Sequence, residues 1–477
     1  MSDRPNVLLI LVDEWRAQAT GFAGDANVRT PHLDRLAAES VVCDQAVSGS
    51  PVCCPYRGSL LTGQYPLRHG VIINDVELAP DSPSIARDFS AAGYETAWIG
   101  KWHLFGSPGG ACERRDHPVP RSHQMGFHRW LGSECSHDYW HSPYNDTDDQ
   151  TLCHWEGYDA FAQSRAALDW MIAAKRRRQP FLACLSLAAP HFPLFTAPQT
   201  YRDRFRAENM RLRPNVPAVF ADQARKELAG LSAHCAALDD CLGELLQGLA
   251  VAGLEDDTVV VFTSDHGNQH HSHGLNFKLF PFEESVRVPF LVRWPAGLGR
   301  SARVCAAPVD APDMLPSLAG LCGVRAHAAC EGQDWSPAWR GAAVAADAAA
   351  LMLVPVPITA MRWHGFPAWR ALRTARHTLV LDRQGPFLFY DNQTDPFQMR
   401  NLAGDPTVAG VRADLERRLW QRLDRLGDGF ANPDDLLRQR GLAHYHETQA
   451  PVVRRWNDPW APGASPLAPE AWTFQAP

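Results

Sequence analysis

The chain has no apolar run long enough to cross a membrane and no excess of basic residues. The first apolar run, 7–12, ends at once in Asp13 and Glu14, whereas a membrane helix needs about 20 apolar residues. The run is also no core of an export signal, so we expect a cytoplasmic protein. The formal net charge of −7 gives no overall positive field to attract nucleic acid or anionic lipid. We therefore expect neither a nucleic-acid partner nor a membrane partner.

Paired cysteine spacings and internal repeats are also missing. The twelve cysteines are scattered along the chain, which predicts neither a disulfide framework nor a zinc finger. One local basic run, 175–178, closes a segment with helical character that begins near Tyr158. Cations at the C-terminal end of a helix complement its dipole. This interpretation is favoured over a polyanion-binding site.

The composition and length of the chain are those of a folded globular protein. The 477 residues are 45% hydrophobic and 21% charged, as in soluble globular proteins. This length is too great for one ordinary core, which favours one large domain and a smaller one.

Apolar strands alternate with helical segments over most of the chain. The predicted strands are 6–12, 96–100, 181–187, 258–263 and 288–293. The predicted helices are 34–39, 84–92, 158–177 and 222–252. This alternation predicts an α/β sheet with helices on both faces. Ligands bind such sheets at the C-terminal ends of the strands.

The pattern changes after about Ala345. The alanine-rich segment 341–350 is interpreted as a connection, and strands at 369–374, 377–381 and 387–390 precede a helix at 408–426. We expect a catalytic domain at 1–345, a subdomain at 346–444 and a Pro- and Trp-rich tail at 445–477. The tail is either a loose end or an arm around a neighbouring subunit, which leaves a homo-oligomer open.

The most informative motif surrounds Cys53. This cysteine is followed by Pro55 and Arg57, and then by the run Gly-Ser-Leu-Leu-Thr-Gly-Gln-Tyr-Pro. The stretch resembles the signature of the formylglycine-dependent (type I) sulfatases of the alkaline phosphatase superfamily. In that family the first cysteine is oxidised to an aldehyde, 3-oxoalanine, by a formylglycine-generating enzyme. Cys54 lacks this spacing, and Tyr56 departs from the serine or alanine usual in the family.

The resemblance implies a particular fold. It is a large mixed, mostly parallel sheet between helices, followed by a small C-terminal antiparallel sheet with one helix. The runs Leu-Phe-Tyr-Asp at 388–391 and Asp-Pro-Phe at 395–397 match the family in this second part.

Acidic motifs follow two of the predicted strands. Asp13 and Glu14 end the first, and Asp265 and His266 follow the strand 258–263. Carboxylates at strand ends can share one hard cation. The resemblance implies that these four residues and the modified Cys53 bind one divalent metal. Oxygen ligands favour Ca²⁺, whereas an imidazole ligand also suits Mn²⁺ or Mg²⁺.

Lysine and histidine motifs follow other strands in the order that the family shows. The sequence has Gly-Lys-Trp-His at 100–103, Ala-Pro-His at 189–191, and Lys278 five residues after His273. The resemblance implies a catalytic set of Cys53, Arg57, Lys101, His103, His191 and Lys278. It implies substrate-binding roles for Asn74 and His273. The run His-His-Ser-His at 270–273 suits a loop better than a zinc site.

The implied reaction is hydrolysis of a carbohydrate, aryl or alkyl sulfate monoester. Lys101 and Lys278 would neutralise the sulfuryl oxygens with the metal. A hydroxyl of the hydrated aldehyde would attack sulfur and form a covalent sulfo-enzyme hemiacetal. His191 or Lys278 would assist the leaving alcohol, and His103 would take the proton whose loss expels inorganic sulfate.

Two other functions remain open from the sequence. A phosphonate monoester or phosphodiester hydrolase of the same superfamily is compatible with Asp265-His266 and Asn74, although Lys101 and His103 favour a sulfatase. A non-catalytic protein that binds sulfated ligands would be consistent with Tyr56 and Glu14. The aromatic segments 126–130 and 136–141 either line the leaving-group pocket or pack their loop onto the domain.

Overall fold

The computed structural model describes residues 4–447 and places strand β1 (Asn6–Asp13) at the centre of a large sheet. Its side chains are apolar on both faces: Val7, Leu9 and Leu11 enter one core, while Leu8 and Ile10 enter the other. Two-sided burial explains why the run is continuously apolar rather than alternating.

The large sheet has the order β10-β2-β9-β8-β1-β7-β3-β4-β5-β6. Its remaining strands are β2 (Val41–Cys43), β3 (Glu95–Lys101), β4 (Arg129–Ser133), β5 (Pro143–Asp146), β6 (Cys153–His154), β7 (Phe181–Pro190), β8 (Thr258–Ser264), β9 (Phe290–Arg293) and β10 (Arg303–Cys305). The central strands β8, β1, β7, β3 and β4 run parallel. Strand β9 is antiparallel to both of its neighbours, and β5 is antiparallel to β4.

Helices cover both faces of this sheet. They are α1 (Pro31–Ala38), α2 (Cys53–Thr62), α3 (Pro66–His69), α4 (Ile85–Ala91), α5 (Asp159–Arg177), α6 (Gln199–Arg202), α7 (Ala221–Val251), α8 (Glu283–Val286), α9 (Pro295–Leu298), α10 (Met314–Cys322) and α11 (Ser336–Trp339). Helices α1, α5 and α7 pack on one face, and α2, α4 and α10 pack on the other.

The C-terminal part is a four-stranded antiparallel sheet with helices. Its elements are β11 (Ala349–Val354), α12 (Thr359–His364), β12 (Trp369–Thr374), β13 (His377–Asp382), β14 (Gly385–Asp391), α13 (Ala409–Leu426), α14 (Pro433–Gln439) and α15 (Ala443–Glu447). Leu415, Leu419 and Leu423 lie four residues apart on α13 and pack against one face of this sheet. The other face joins the core of the large sheet.

The predicted fold class is confirmed, with one element wrong. The segment 341–350 was expected to be a connection, yet β11 begins at Ala349 because a run of six buried apolar residues follows. The proposed boundaries at 345 and 444 stay a prediction, and most of the tail lies outside the described residues. Within 4–447 no helix is long and apolar enough to cross a membrane.

Candidate active site

Adjacent parallel strands deliver charged residues to one edge of the large sheet. Asp13 ends β1, Lys101 ends β3, His191 follows β7, and Asp265 with His266 follows β8. These strands lie side by side in the order β8-β1-β7-β3. Because the C-terminal ends of parallel strands share one edge, residues more than 200 positions apart meet there.

Helix α2 brings Cys53 to the same edge. The helix begins at Cys53 and ends at Thr62, and the next residue, Gly63, has a left-handed φ of 64°. The N–H of Cys54 donates to Asn74 Oδ1 at 3.0 Å, so Asn74 caps the helix beside the nucleophile position. Arg57 follows one turn later and lies on the same side as Cys53. The positive end of the helix dipole favours an anionic group at position 53.

The Cys53 thiol lies among charged side chains. Its Sγ is 3.3 Å from His266 Nε2, 3.4 Å from Lys278 Nζ and 3.8 Å from Asp13 Oδ1. Burial and the charge of Asp13 would raise the pKa of this thiol. The positive charges of Lys278, Lys101 and His266 outweigh them and hold the pKa well below its usual value. A group at this position is therefore stabilised as an anion.

Two buried carboxylates share one guanidinium. Arg57 donates to Asp13 Oδ2 at 3.1 Å and to Asp265 Oδ2 at 3.2 Å, and Lys101 Nζ lies 2.6 Å from Asp13 Oδ2. Burial alone would raise the pKa of Asp13, but Lys101, with a smaller contribution from Arg57, holds it well below its usual range. Burial and the charge of Asp13 raise the pKa of Asp265 to about 6.

Four residues of this cluster fit a divalent metal. Asp13, Cys53, Asp265 and His266 are all buried, and each offers one donor atom within 4.8 Å of the others. Two carboxylate oxygens and an imidazole suit a hard or borderline divalent cation. Such an ion would also offset the repulsion between two carboxylates that share a single arginine.

Glu14 contacts His191 and Lys278 beside the Cys53 cluster. Its backbone has φ 68°, and its N–H donates to Asp265 Oδ1 at 3.0 Å. Its Oε2 lies 2.8 Å from His191 Nε2 and 3.0 Å from Lys278 Nζ, while Lys278 Nζ lies 2.8 Å from His191 Nε2. These three side chains form a triangle beside Cys53. The metal role predicted for Glu14 stays a prediction, since it groups with Asp13 and His191 rather than with the Cys53 set.

His191 is neutral over most of the physiological pH range. Burial lowers its pKa to about 4, Glu14 opposes this shift, and the neighbouring Lys278 adds to it. The Nδ1 of His191 faces its neighbour's carbonyl, Phe192 O, at 2.9 Å, so the hydrogen on Nδ1 can be donated there. Lys278 itself keeps its proton, because Cys53 and Glu14 raise its pKa against the effect of burial.

His103 is held by a residue that the sequence did not indicate. Its Nε2 lies 3.5 Å from Asp75 Oδ1, and Arg115 donates to both oxygens of Asp75 at 3.0 and 2.8 Å. Burial would lower the pKa of His103, but Cys135, Cys54 and Asp75 raise it well above its usual value. Asp75 directly follows Asn74, and no motif singled it out. Only the folded loop shows its role.

We expect Asp75→Asn to lower kcat about tenfold, because the neutral amide weakens electrostatic support for a proton on His103. The plot of kcat against pH should change on the side that reflects protonation of His103. Loss of packing alone would not cause such a change. The control is Cys112→Ala, since this thiol contacts Asp75 at 3.7 Å and carries no catalytic group. An unchanged kcat and pH profile in Asp75→Asn would contradict the assignment.

His273 lies outside the Cys53 cluster. Its Nε2 accepts from Asn215 Nδ2 at 3.1 Å, its ring stacks on Phe282 at 4.1 Å, and Glu284 Oε2 lies 3.9 Å away. Burial lowers its pKa to about 4. The contacts describe a structural histidine, and its predicted contact with substrate stays a prediction.

The two aromatic segments have different roles. Phe127 and Trp130 are buried and pack against Trp102, so the aromatic rings of the segment 126–130 belong to the core. In the segment 136–141, His137 is half-buried and stacks on His191 at 4.5 Å with an interplanar angle of 12°. Only the second segment therefore reaches the catalytic cluster.

The fold and the site define a class of hydrolase: an alkaline-phosphatase-like sheet with a buried carboxylate and imidazole cluster beside a cysteine at a helix N-terminus. A family model described as Sulfatase matches residues 5–324, and one described as N-sulphoglucosamine sulphohydrolase, C-terminal, matches 271–425. The chain belongs to the sulfatase family of the alkaline phosphatase superfamily, and it is a sulfuric ester hydrolase.

Individual relatives agree with this assignment. The chain is 40% identical over 441 residues to an ulvan-active sulfatase of Formosa agariphila, which covers 91% of this chain and 84% of the relative. It is 30% identical over 481 residues to an endo-4-O-sulfatase of Bacteroides thetaiotaomicron, with 90% and 93% covered. A solved structure of the sulfatase yidJ from Bacteroides fragilis superposes with a TM-score of 0.81 at 25% identity, covering 90% and 97%.

Proposed function

We propose that this enzyme hydrolyses a sulfate monoester of a saccharide, with a formylglycine derived from Cys53 as nucleophile and one divalent metal, Ca²⁺ by preference. The observation that carries the proposal is the position of the Cys53 side chain. It lies between a buried carboxylate and imidazole set and the ammonium group of Lys278. A formylglycine-generating enzyme would act on Cys53 before turnover.

The metal would be held by Asp13, Asp265, His266 and the side chain at position 53. Bound there, it would supply Lewis acidity to the sulfuryl oxygens and acidify a hydroxyl of the hydrated aldehyde. In the present structure the Cys53 sulfur stands in for one of those hydroxyl oxygens. The oxygen-rich donor set favours Ca²⁺, and the imidazole of His266 is compatible with Mn²⁺ or Mg²⁺.

The chain's own cations would stabilise charge on the sulfate group. A sulfate ester is an anion, so an anionic nucleophile is repelled unless positive groups surround the sulfuryl oxygens. Lys278 lies 3.4 Å from the Cys53 sulfur, and Lys101 lies beside Asp13. Arg57 holds both carboxylates in place. These groups are fixed before substrate arrives, which reduces the reorganisation needed in the transition state.

Lys278 and His103 would handle the two proton transfers of the reaction. Lys278 keeps its proton and contacts the neutral His191 at 2.8 Å, so Lys278 would support the oxygen of the leaving alcohol and His191 would hold Lys278 in position. His103, backed by Asp75, would accept the proton from the second hydroxyl of the hydrated aldehyde. An aldehyde hydrate has two hydroxyls and can release sulfate without water attacking sulfur, which a serine could not do.

A saccharide sulfate is supported by the relatives. The names of the Formosa agariphila and Bacteroides thetaiotaomicron proteins refer to ulvan and to a 4-O-sulfate. The proposal is tested by incubating the matured, Ca²⁺-loaded enzyme with sulfated mono- and oligosaccharides and measuring released inorganic sulfate. Release that also requires Cys53 supports it; release only from aryl sulfates would contradict the saccharide assignment.

A second candidate activity rests on His266. By resemblance, Asp followed by His at this point is compatible with phosphonate monoester or phosphodiester hydrolysis. A phosphonate monoester is therefore assayed beside the sulfate ester with the same preparation. We expect kcat/KM for the sulfate ester to be the larger, because both Lys101 and His103 are present. The reverse order would replace the sulfatase proposal with the second candidate.

A further inference from the structure

A row of aromatic rings leads outward from His191. His191 and Phe192 have ring centroids 4.1 Å apart, Phe192 and Phe277 are 5.4 Å apart, and Phe277 and Trp363 are 5.9 Å apart. His137 contacts the same row, stacked on His191 and 5.4 Å from Phe192. We call Phe192, Phe277 and Trp363 the aromatic wall.

The wall is continuous with the catalytic groups but less buried. Cys53 and His191 are 1% and 3% exposed, whereas all three wall residues are half-buried. Lys278 directly follows Phe277, and its Nζ lies 5.9 Å from the centroid of the Phe192 ring. The wall therefore adjoins His191 and Lys278 and is more exposed than His191.

Phe277 is held in a backbone conformation that phenylalanine rarely adopts. Its φ is 66°, in the left-handed region that costs bulky residues free energy. Two backbone contacts fix it: its N–H donates to Asn276 Oδ1 at 2.8 Å, and its C=O accepts from the N–H of Gln269 at 2.8 Å. These two hydrogen bonds hold the backbone of Phe277, next to Lys278, in this conformation.

We propose that the aromatic wall binds the sugar ring of the leaving group, so that it selects saccharide sulfates over small alkyl sulfates. This inference rests on the proposed function. The apolar C–H face of a pyranose packs on an aromatic ring, while its hydroxyls stay with water or polar groups at the edge. Stacking next to Lys278 and His191 would place the sulfated oxygen of the sugar against them. None of the wall residues carried a motif in the sequence.

The test compares two substrates in the matured, Ca²⁺-loaded enzyme. One is a sulfated disaccharide that the wild type hydrolyses, and the other is methyl sulfate, which has no ring. Trp363→Ala and Phe192→Ala should raise KM for the disaccharide about tenfold with little change in kcat, because contacts equal in ground and transition states affect KM. The KM for methyl sulfate should rise far less than the KM for the disaccharide, because methyl sulfate has no ring to stack.

Two further variants control for folding and specificity. Trp363→Phe keeps a stacking ring and should restore most of the disaccharide affinity. Trp420→Ala removes an exposed tryptophan on α13 that is not part of the wall, and it should change the kinetics for neither substrate. Thermal unfolding of each variant checks that the fold is intact.

The outcomes separate this inference from the function on which it rests. An unchanged KM for the disaccharide in Trp363→Ala and Phe192→Ala would refute the proposal that the aromatic wall binds the sugar ring. Sulfate release by the wild type would still support the sulfatase proposal. Equal losses on both substrates would also refute the sugar-binding role of the wall, because the rings would then act through His191 and Lys278. If the wild-type enzyme hydrolysed no sulfate ester, both the proposed function and the sugar-binding role of the aromatic wall would be refuted.

Discussion

Replacing Cys53 with alanine is expected to lower kcat/KM for a sulfate ester by about 10⁴-fold or more, because the nucleophile is removed. The side chain at position 53 contacts His266, Lys278 and Asp13, and no other nucleophile in the described cluster has this position. Sulfate release under saturating Ca²⁺ measures the effect.

Cys54→Ala is the matched control for this variant. Cys54 is equally buried and one residue away, but its Sγ accepts from the N–H of Asp75 at 3.3 Å instead of facing the carboxylates. Most of the activity should remain in this variant. Equal losses in both variants, with the fold intact by thermal unfolding, would contradict the assignment of position 53.

Lys278→Met should lower kcat by about 10² to 10³-fold, the usual cost of removing one preorganised group that stabilises transition-state charge. The ammonium group is the only one of its kind in the described structure that contacts Cys53, Glu14 and His191 together. Its removal leaves fewer positive charges beside the sulfuryl oxygens. Steady-state kinetics should show the loss in kcat more than in KM, because the charge matters most in the transition state.

Lys226→Met is the control for the loss of a lysine charge. Lys226 is exposed on α7, so this variant should keep wild-type kinetics. A Lys278→Met enzyme with unchanged kcat would show that Lys278 does not act on the reacting groups. Lys278→Arg should recover only part of the activity, because the larger guanidinium does not fit the 2.8 and 3.0 Å contacts with His191 and Glu14.

Much of the site could be predicted because its residues end continuous apolar runs. Asp13 and Asp265 each follow a strand of buried residues, and neighbouring parallel strands must bring their ends together. Position 53 could be predicted only from a motif, since nothing in the local pattern of α2 shows that it points at carboxylates. The short edge strands and β11 were missed because they carry few residues or follow an alanine-rich segment.

Non-local contacts could not be predicted. The sequence shows Asp13 and Glu14 as an adjacent pair, but the left-handed backbone of Glu14 sends its carboxylate to His191 and Lys278 instead of the Cys53 set. Asp75 and Phe277 likewise acquire their roles from loops whose conformation depends on distant partners. Residue type and spacing alone do not predict the orientation of these side chains.

The conversion of Cys53 to formylglycine is tested most directly by the mass of the peptide that spans 51–57, from protein produced with a formylglycine-generating enzyme. We predict a loss of about 18 Da at Cys53, the change from thiol to unhydrated aldehyde that creates the nucleophile. Cys54 should remain a thiol. An unmodified Cys53 in a preparation that still releases sulfate would contradict the central claim.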